Sequence, residues 1–184
     1  MGAQHLERHA HLNASLTSPR VVLIAISITG ALALLLAWVL QHRFDYQPCP
    51  WCVLQRLLLL TVVAVSLMGA VFRARVPQWL SAAATTLLSV VGVVVALYQH
   101  LVAAKSASCS LTLADRILSK TGLVEAWPAM FEATARCDEA DRPWLGVPFS
   151  LWGAALFAGL AVVAAGLLIQ VFRQRLHQPT LVSK

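Results

Sequence analysis

The sequence predicts an all-α membrane protein, a four-helix transmembrane bundle with a long periplasmic-type outer loop carrying short amphipathic helix. Three observations point there. Of the 184 residues, 59% are apolar and 12% charged, against roughly 25% charged in an average soluble domain. Four segments reach the roughly 20 mostly apolar residues that a helix needs to cross about 30 Å of hydrocarbon. Between the third and the fourth lies a long stretch whose helical periodicity is interrupted.

The first span, residues 21–40, reads VVLIAISITGALALLLAWVL and carries no charge. Positive residues precede it, and Ala31-Leu32-Ala33 resembles a small-residue cleavage site. Its apolar run nevertheless exceeds the roughly 7–15 residues of a secretory signal, which favours a retained span. The second span, 53–72, has Gln55 and Arg56 as the only costly residues near its start. The third is 79–102 and the fourth 149–172. Trp38, Trp51, Trp79 and Trp152 lie near span ends, as an interfacial belt or simple packing would have them. The chain thus divides into a tail (1–20), one bundle (21–172) with outer loops 41–52 and 103–148, and a second tail (173–184).

Orientation follows from Lys and Arg, which are in excess in cytoplasmic connections. The tails and the turn between spans two and three hold Arg8, Arg20, Arg73, Arg75, Arg173, Arg175 and Lys184 against the single acid Glu7. The opposite side holds Arg43, Lys105, Arg116, Lys120, Arg136 and Arg142 against Asp45, Asp115, Glu125, Glu132, Asp138, Glu139 and Asp141. Both termini are therefore expected in the cytoplasm. The net charge of +6 is mostly this asymmetry and not a nucleic-acid signal.

All four cysteines, Cys49, Cys52, Cys109 and Cys137, fall on the outer side, where disulfides persist. Three pairings are open, and sequence does not choose among them; proximity favours Cys49 with Cys52 and Cys109 with Cys137. The second pair, taken alone, reads as an ordinary loop staple. The first encloses only Pro50-Trp51, a ring too small to restrain the unfolded chain much, and Cys-x-x-Cys is a recurrent redox setting. Zinc fits poorly, because structural sites use two closely spaced pairs; no metal is expected.

Pro50 suits the first position of a helix, which would put Cys49 at the cap, where the dipole favours thiolate. Cys52 and Arg56 are four residues apart and share a face, the arginine one turn deeper. An arginine in a span costs a few kcal/mol on insertion scales near the centre and so is a functional candidate; snorkelling to the headgroups is the plain alternative. Its expected work is to stabilise a thiolate and hold the polar head of a lipid-borne molecule. No haem, flavin or nicotinamide pattern is present: Val53 follows the Cys-x-x-Cys where a haem site has His, and no Gly-x-Gly-x-x-Gly occurs. A membrane quinone is the acceptor the bilayer itself supplies.

The Cys-x-x-Cys opening span two, the arginine four places on, the second cysteine pair in the outer loop, and Tyr98-Gln99-His100 leaving span three together resemble the DsbB family of quinone-dependent disulfide-forming proteins of the bacterial inner membrane. The resemblance covers about residues 21–172. It implies a relay in which a periplasmic thioredoxin-like oxidase, DsbA, attacks the outer-loop disulfide and forms a mixed disulfide with Cys109. Electrons then pass, through a transient Cys49–Cys137 link, to Cys49 and Cys52. From Cys52, above Arg56, they reach ubiquinone, with menaquinone as the anaerobic alternative. It also implies that His100 lies near the quinone, an interfacial histidine being the plain alternative.

Two departures from the best-known member bear on redox potential: the dipeptide Pro50-Trp51, and Gln55 where that member has an acidic residue. The tail histidines His5, His9 and His11 read as solvated. Gly122 and Pro128 interrupt the loop's apolar pattern, so short amphipathic helices on the membrane surface, or packed on the bundle, are expected. Three other readings stand beside this one. A dedicated paralogue would serve one oxidase; a relative of vitamin K epoxide reductase would carry its Cys-x-x-Cys late in the bundle; a non-catalytic scaffold would leave Arg56 unexplained.

Overall fold

The computed structural model describes residues 18–105 and 113–176, with side chains through 173. Cys109, most of both tails and their histidines His5, His9 and His11 lie outside the described residues. The fold class is the one the sequence predicts. Four helices are long and apolar enough to cross a membrane: α1 (Pro19–Phe44), α2 (Pro50–Val71), α3 (Arg75–Leu101) and, after the outer loop, α8 (Phe149–Leu176).

Local chemistry sets the starts of these helices. Ser18 caps α1, its hydroxyl accepting from Val21 N at 3.4 Å, and Pro19 occupies the first turn. Cys49 caps α2 in the same way: its sulfur accepts from Cys52 N at 3.3 Å, and Pro50 follows. A proline there loses no hydrogen bond, because the first amides of a helix have no internal partner. Asp45 ends α1 in the left-handed region (φ 54°) and its amide returns to Leu40 O.

The helices pack as a ring, α1 against α2, α2 against α3, α3 against α8, with a slimmer contact closing α8 onto α1. Large apolar side chains such as Ile28, Leu35, Met68, Leu87, Val94 and Val162 face outward, while Ser27, Ser66, Ser81, Thr85 and Ser89 are buried between helices. That distribution suits a lipid environment, where association relies on close packing of small residues and on interhelical hydrogen bonds. Gly92 shows why: a Cβ there would lie 2.3 Å from the Phe157 ring, so only glycine admits that ring between α3 and α8.

The outer loop is a chain of short elements: a 3-10 turn (Ala103–Lys105), then α4 (Leu113–Thr121), α5 (Leu123–Ala126), α6 (Pro128–Phe131) and α7 (Cys137–Ala140). Gly122, at φ 65°, separates α4 from α5, and Pro128 opens α6. A two-residue hairpin pairs β1 (Pro143–Trp144) with β2 (Val147–Pro148) around Leu145 and Gly146, both at positive φ. The loop packs on the bundle: Leu118, Met130 and Phe131 bury against Val53 of α2, while Leu113 and Ile117 on α4 and Trp127 remain exposed.

Candidate functional site

Three cysteines meet where α2 begins. Cys49 and Cys52 bring their sulfurs to 2.9 Å as unbonded thiols, and Cys137, at the first position of α7, hydrogen-bonds Cys49 from the loop side. Backbone bonds hold the loop there: Thr134 N and Ala135 N both donate to Pro48 O, at 3.0 and 3.2 Å. Cys49 and Cys137 are fully buried, with Trp51, Leu54, Ala103, Ala114 and Ala140 around them. Cys49 thus lies between Cys52 and Cys137, the order that exchange from loop to helix requires.

The cap position alone leads one to expect a thiolate-prone Cys49. The surroundings of the sulfur work against that. Hydrogen bonding with Cys137 and then Cys52, reinforced by burial, pushes the Cys49 thiol well above the usual thiol range.

Arg56 is one turn below Cys52 on α2 and is 7% exposed. Its Nη1 donates to Gln41 Oε1 at 2.7 Å and to Met130 O at 2.9 Å. Both partners are neutral, so its charge is hydrogen-bonded without being neutralised, and it lies near enough to act on both Cys52 and Cys49. A buried cation in that state is costly unless an anion shares the site. The direct hydrogen bond to the Cys52 sulfur comes instead from Gln99 Nε2, at 3.1 Å.

Cys52 and Arg56 open onto a cavity of about 240 Å³ between α1, α2 and α8, on the side of the ring where α1 and α8 touch least. Leu34, Leu59, Leu156 and Phe157 form its apolar wall, and half-exposed Leu36 and Trp152 lie at the bundle's outer surface. Gln47, Gln55, Gln99 and Ser150 add polar atoms at its loop end. Ser150 Oγ, like Ser89 Oγ in α3, is buried with no hydrogen-bond partner among the described residues. An unmet buried hydroxyl normally costs about 1–3 kcal/mol, and Ser150, unlike Ser89, is a residue of the cavity lining. A quinone headgroup, apolar in its ring and carrying two carbonyl acceptors, suits this mixture of apolar wall and spare donors.

His100 takes a different position. It does not line the cavity. Its Nδ1 lies 2.9 Å from Asp141 Oδ2, and Asp141 Oδ1 accepts from Ser150 N at 2.9 Å, so the three residues tie α3, the outer loop and the start of α8 together. Nearby, Arg142 stacks over the Tyr46 ring at 4.9 Å and donates to Asp45 O, and Tyr46 Oη reaches Pro143 O at 3.3 Å.

Gln41, Gln99, Ser150 and Asp141 carry none of the spacing that singles out Cys49, Cys52 and Arg56. For Gln41, Gln99 and Ser150 the available signal was weaker, a polar residue at the edge of an apolar span; Asp141, in the outer loop, carried none.

A ring of four membrane-length helices, with thiols clustered at one end beside a cavity, defines a multi-pass membrane protein built for thiol–disulfide exchange. The family model described as disulfide bond formation protein DsbB matches residues 19–167, and the chain belongs to that family. It is similar to disulfide bond formation protein B of Dechloromonas aromatica, at 34% identity over 71% of this chain and 81% of that one. The protein of the same name from Polaromonas sp. strain JS666 is 30% identical over 85% and 95%, and that of Herminiimonas arsenicoxydans 29% over 85% and 97%. The chain is thus a disulfide-forming membrane oxidoreductase.

Proposed function

We propose that this protein is a thiol:quinone oxidoreductase of the bacterial inner membrane that reoxidises a periplasmic thioredoxin-like oxidase of the DsbA kind. In this reading both tails are cytoplasmic, because Arg20, Arg73, Arg75 and Arg173 gather at one end of the bundle, as the positive-inside rule requires. The cysteines then face the periplasm. Cys109 receives the partner's thiolate, Cys137 passes the electrons to Cys49, and Cys52 is the last sulfur of the relay.

One observation carries the proposal: Cys52 lines an apolar cavity beside Arg56, and Cys49, 2.9 Å behind it, contacts Cys137. Attack by the Cys137 thiolate on a Cys49–Cys52 disulfide forms a Cys49–Cys137 bond and breaks the Cys49–Cys52 bond. The electron pair of the broken bond stays on Cys52. Arg56, whose two hydrogen-bond partners are neutral, offsets that negative charge. A bound quinone supplies a two-electron, two-proton acceptor dissolved in the lipid; ubiquinone is assigned, with menaquinone as the anaerobic substitute. Arg56 and Ser150 are the donors offered to its polar head, and His100 acts on the site by holding Asp141 against the start of α8.

The test is ubiquinone reduction by the purified protein in detergent with a reduced DsbA-like donor, comparing wild type with Cys52→Ser. Turnover by wild type that vanishes in the variant supports the assignment. Absence of turnover with either ubiquinone or menaquinone, in protein whose thiols oxidise normally, contradicts it and favours a scaffold with loop disulfides.

A further inference from the structure

Besides Cys49, the side chain in direct contact with the Cys52 sulfur is an amide. Gln99 is fully buried in α3, its Nε2 donates to Cys52 Sγ at 3.1 Å, and its Oε1 accepts from Gln55 Nε2 at 2.5 Å. Gln55 in turn lies in the space left by Gly153 of α8, where a Cβ would come within 2.5 Å of Gln55 Oε1. Three helices therefore converge to aim one N–H group at one sulfur. A thiolate accepts hydrogen bonds and donates none, so whenever Cys52 carries charge the Gln99 amide must present nitrogen to it, and its oxygen is then free for Gln55.

We propose that Gln99 is a catalytic hydrogen-bond donor to the Cys52 sulfur and that Gln55 is the positioning residue that aims it. This rests on the reading of Cys49 and Cys52 as the redox pair. When Cys137 attacks Cys49 and the Cys49–Cys52 bond breaks, the electron pair left on Cys52 is received by the Gln99 N–H beside the charge of Arg56. No net oxidation occurs in that step: one S–S bond is exchanged for another and the thiolate moves from Cys137 to Cys52. Both amides are uncharged and do not titrate, so the donor keeps the same strength across the pH range of an outer compartment whose acidity follows the surroundings. A carboxylic acid in either place would donate only while protonated. Arg56, engaged with Gln41 and Met130, supplies charge; Gln99 supplies direction.

The test compares Gln99→Leu and Gln99→Glu with wild type in the full-length reduced protein. Alkylation of Cys52 is read peptide by peptide against pH, so neither quinone nor donor protein is needed. Loss of a hydrogen bond to a charged group predicts roughly tenfold slower Cys52 alkylation in Gln99→Leu near neutral pH, with Cys109 unchanged. Gln99→Glu, which keeps the shape, is expected to approach wild type at acid pH and to fall progressively behind as the new carboxyl ionises. Gln55→Leu should give a smaller loss of the same kind. Wild-type alkylation in Gln99→Leu, or a Gln99→Glu profile parallel to wild type, overturns the proposal and means that the amide merely fills space or accepts from the thiol. If Gln99→Leu does not fold, the Gln99→Glu profile decides alone. Altered alkylation in a chain whose wild type reduces no quinone would leave the donor in place and remove the quinone reading.

Discussion

The two ends of the bundle are made by the same helices and spend their buried polar groups differently. Where α2 turns into α3, those groups close on backbone or on each other. Arg20 Nε donates to Ala70 O at 2.9 Å, Gln78 Nε2 to Phe72 O at 3.0 Å and Ser81 Oγ to Val65 O at 2.6 Å, while Ser66 and Thr85 share a bond of 3.0 Å. At the loop end, among the described residues, α2 and its neighbours aim Gln99 at a sulfur, give Arg56 only neutral partners and leave Ser150 Oγ, of a cavity-lining residue, without a partner. Polar groups closed on backbone fasten helices together in lipid. Those left facing a sulfur or a cavity are available for chemistry.

If that contrast is right, substitutions at the two ends separate activity from stability. The largest effect is expected from Cys49→Ser, which removes the sulfur between Cys52 and Cys137: steady-state quinone reduction should drop to background with little change in melting temperature. Arg56→Ala comes next, because it takes away the cavity's cation and the donor of both Gln41 Oε1 and Met130 O. Its apparent quinone KM should rise about tenfold or more, and stability should fall by about 1–3 kcal/mol for the buried Met130 O left unpaired, with less from half-exposed Gln41. An Arg56→Ala protein with unaltered KM would move Arg56 to the structural side of the comparison.

Gly69→Ala is the counterpart at the closed end. Its Cβ would come within 2.3 Å of Ser81 Oγ, and overpacking of this kind costs about 1–3 kcal/mol. Thermal unfolding should register that loss while kcat and quinone KM remain at wild-type values; a changed KM would show that the two ends are coupled. His100→Ala should raise quinone KM severalfold by untying Asp141 from α3 and so loosening the carboxylate that accepts from Ser150 N, and an unchanged KM would remove His100 from the site. The smallest effect is expected from Ser150→Ala, with KM up a few-fold. Melting should be equal or slightly higher, since an unpaired buried hydroxyl is lost. Lower stability with unchanged KM would argue for a structural hydroxyl.

The same contrast explains what the sequence disclosed. Hydrophobic length is a local property, so the four-helix membrane fold is legible from apolar runs and the loop's broken pattern from Gly122 and Pro128. The grouping of Cys52 with Arg56 is legible as well, since one helical turn separates them. Gln99 is 47 positions from the Cys52 it touches, and Gln41 is 15 from Arg56; only packing reveals such partners. The cap position of Cys49 is readable from Pro50, yet its raised thiol is not, because the cause is Cys137 arriving from the loop together with burial. Cys109 lies outside the described residues, and its place in the relay rests on the family resemblance.

In the proposed relay, electrons reach Cys52 through Cys49 from the loop cysteine Cys137. Disulfide mapping of oxidised Cys52→Ser protein by mass spectrometry tests it most directly. With Cys52 unable to close on Cys49, a Cys49–Cys137 disulfide should accumulate and leave Cys109 free. A protein that carries only Cys109–Cys137, with Cys49 remaining a free thiol, would contradict the account.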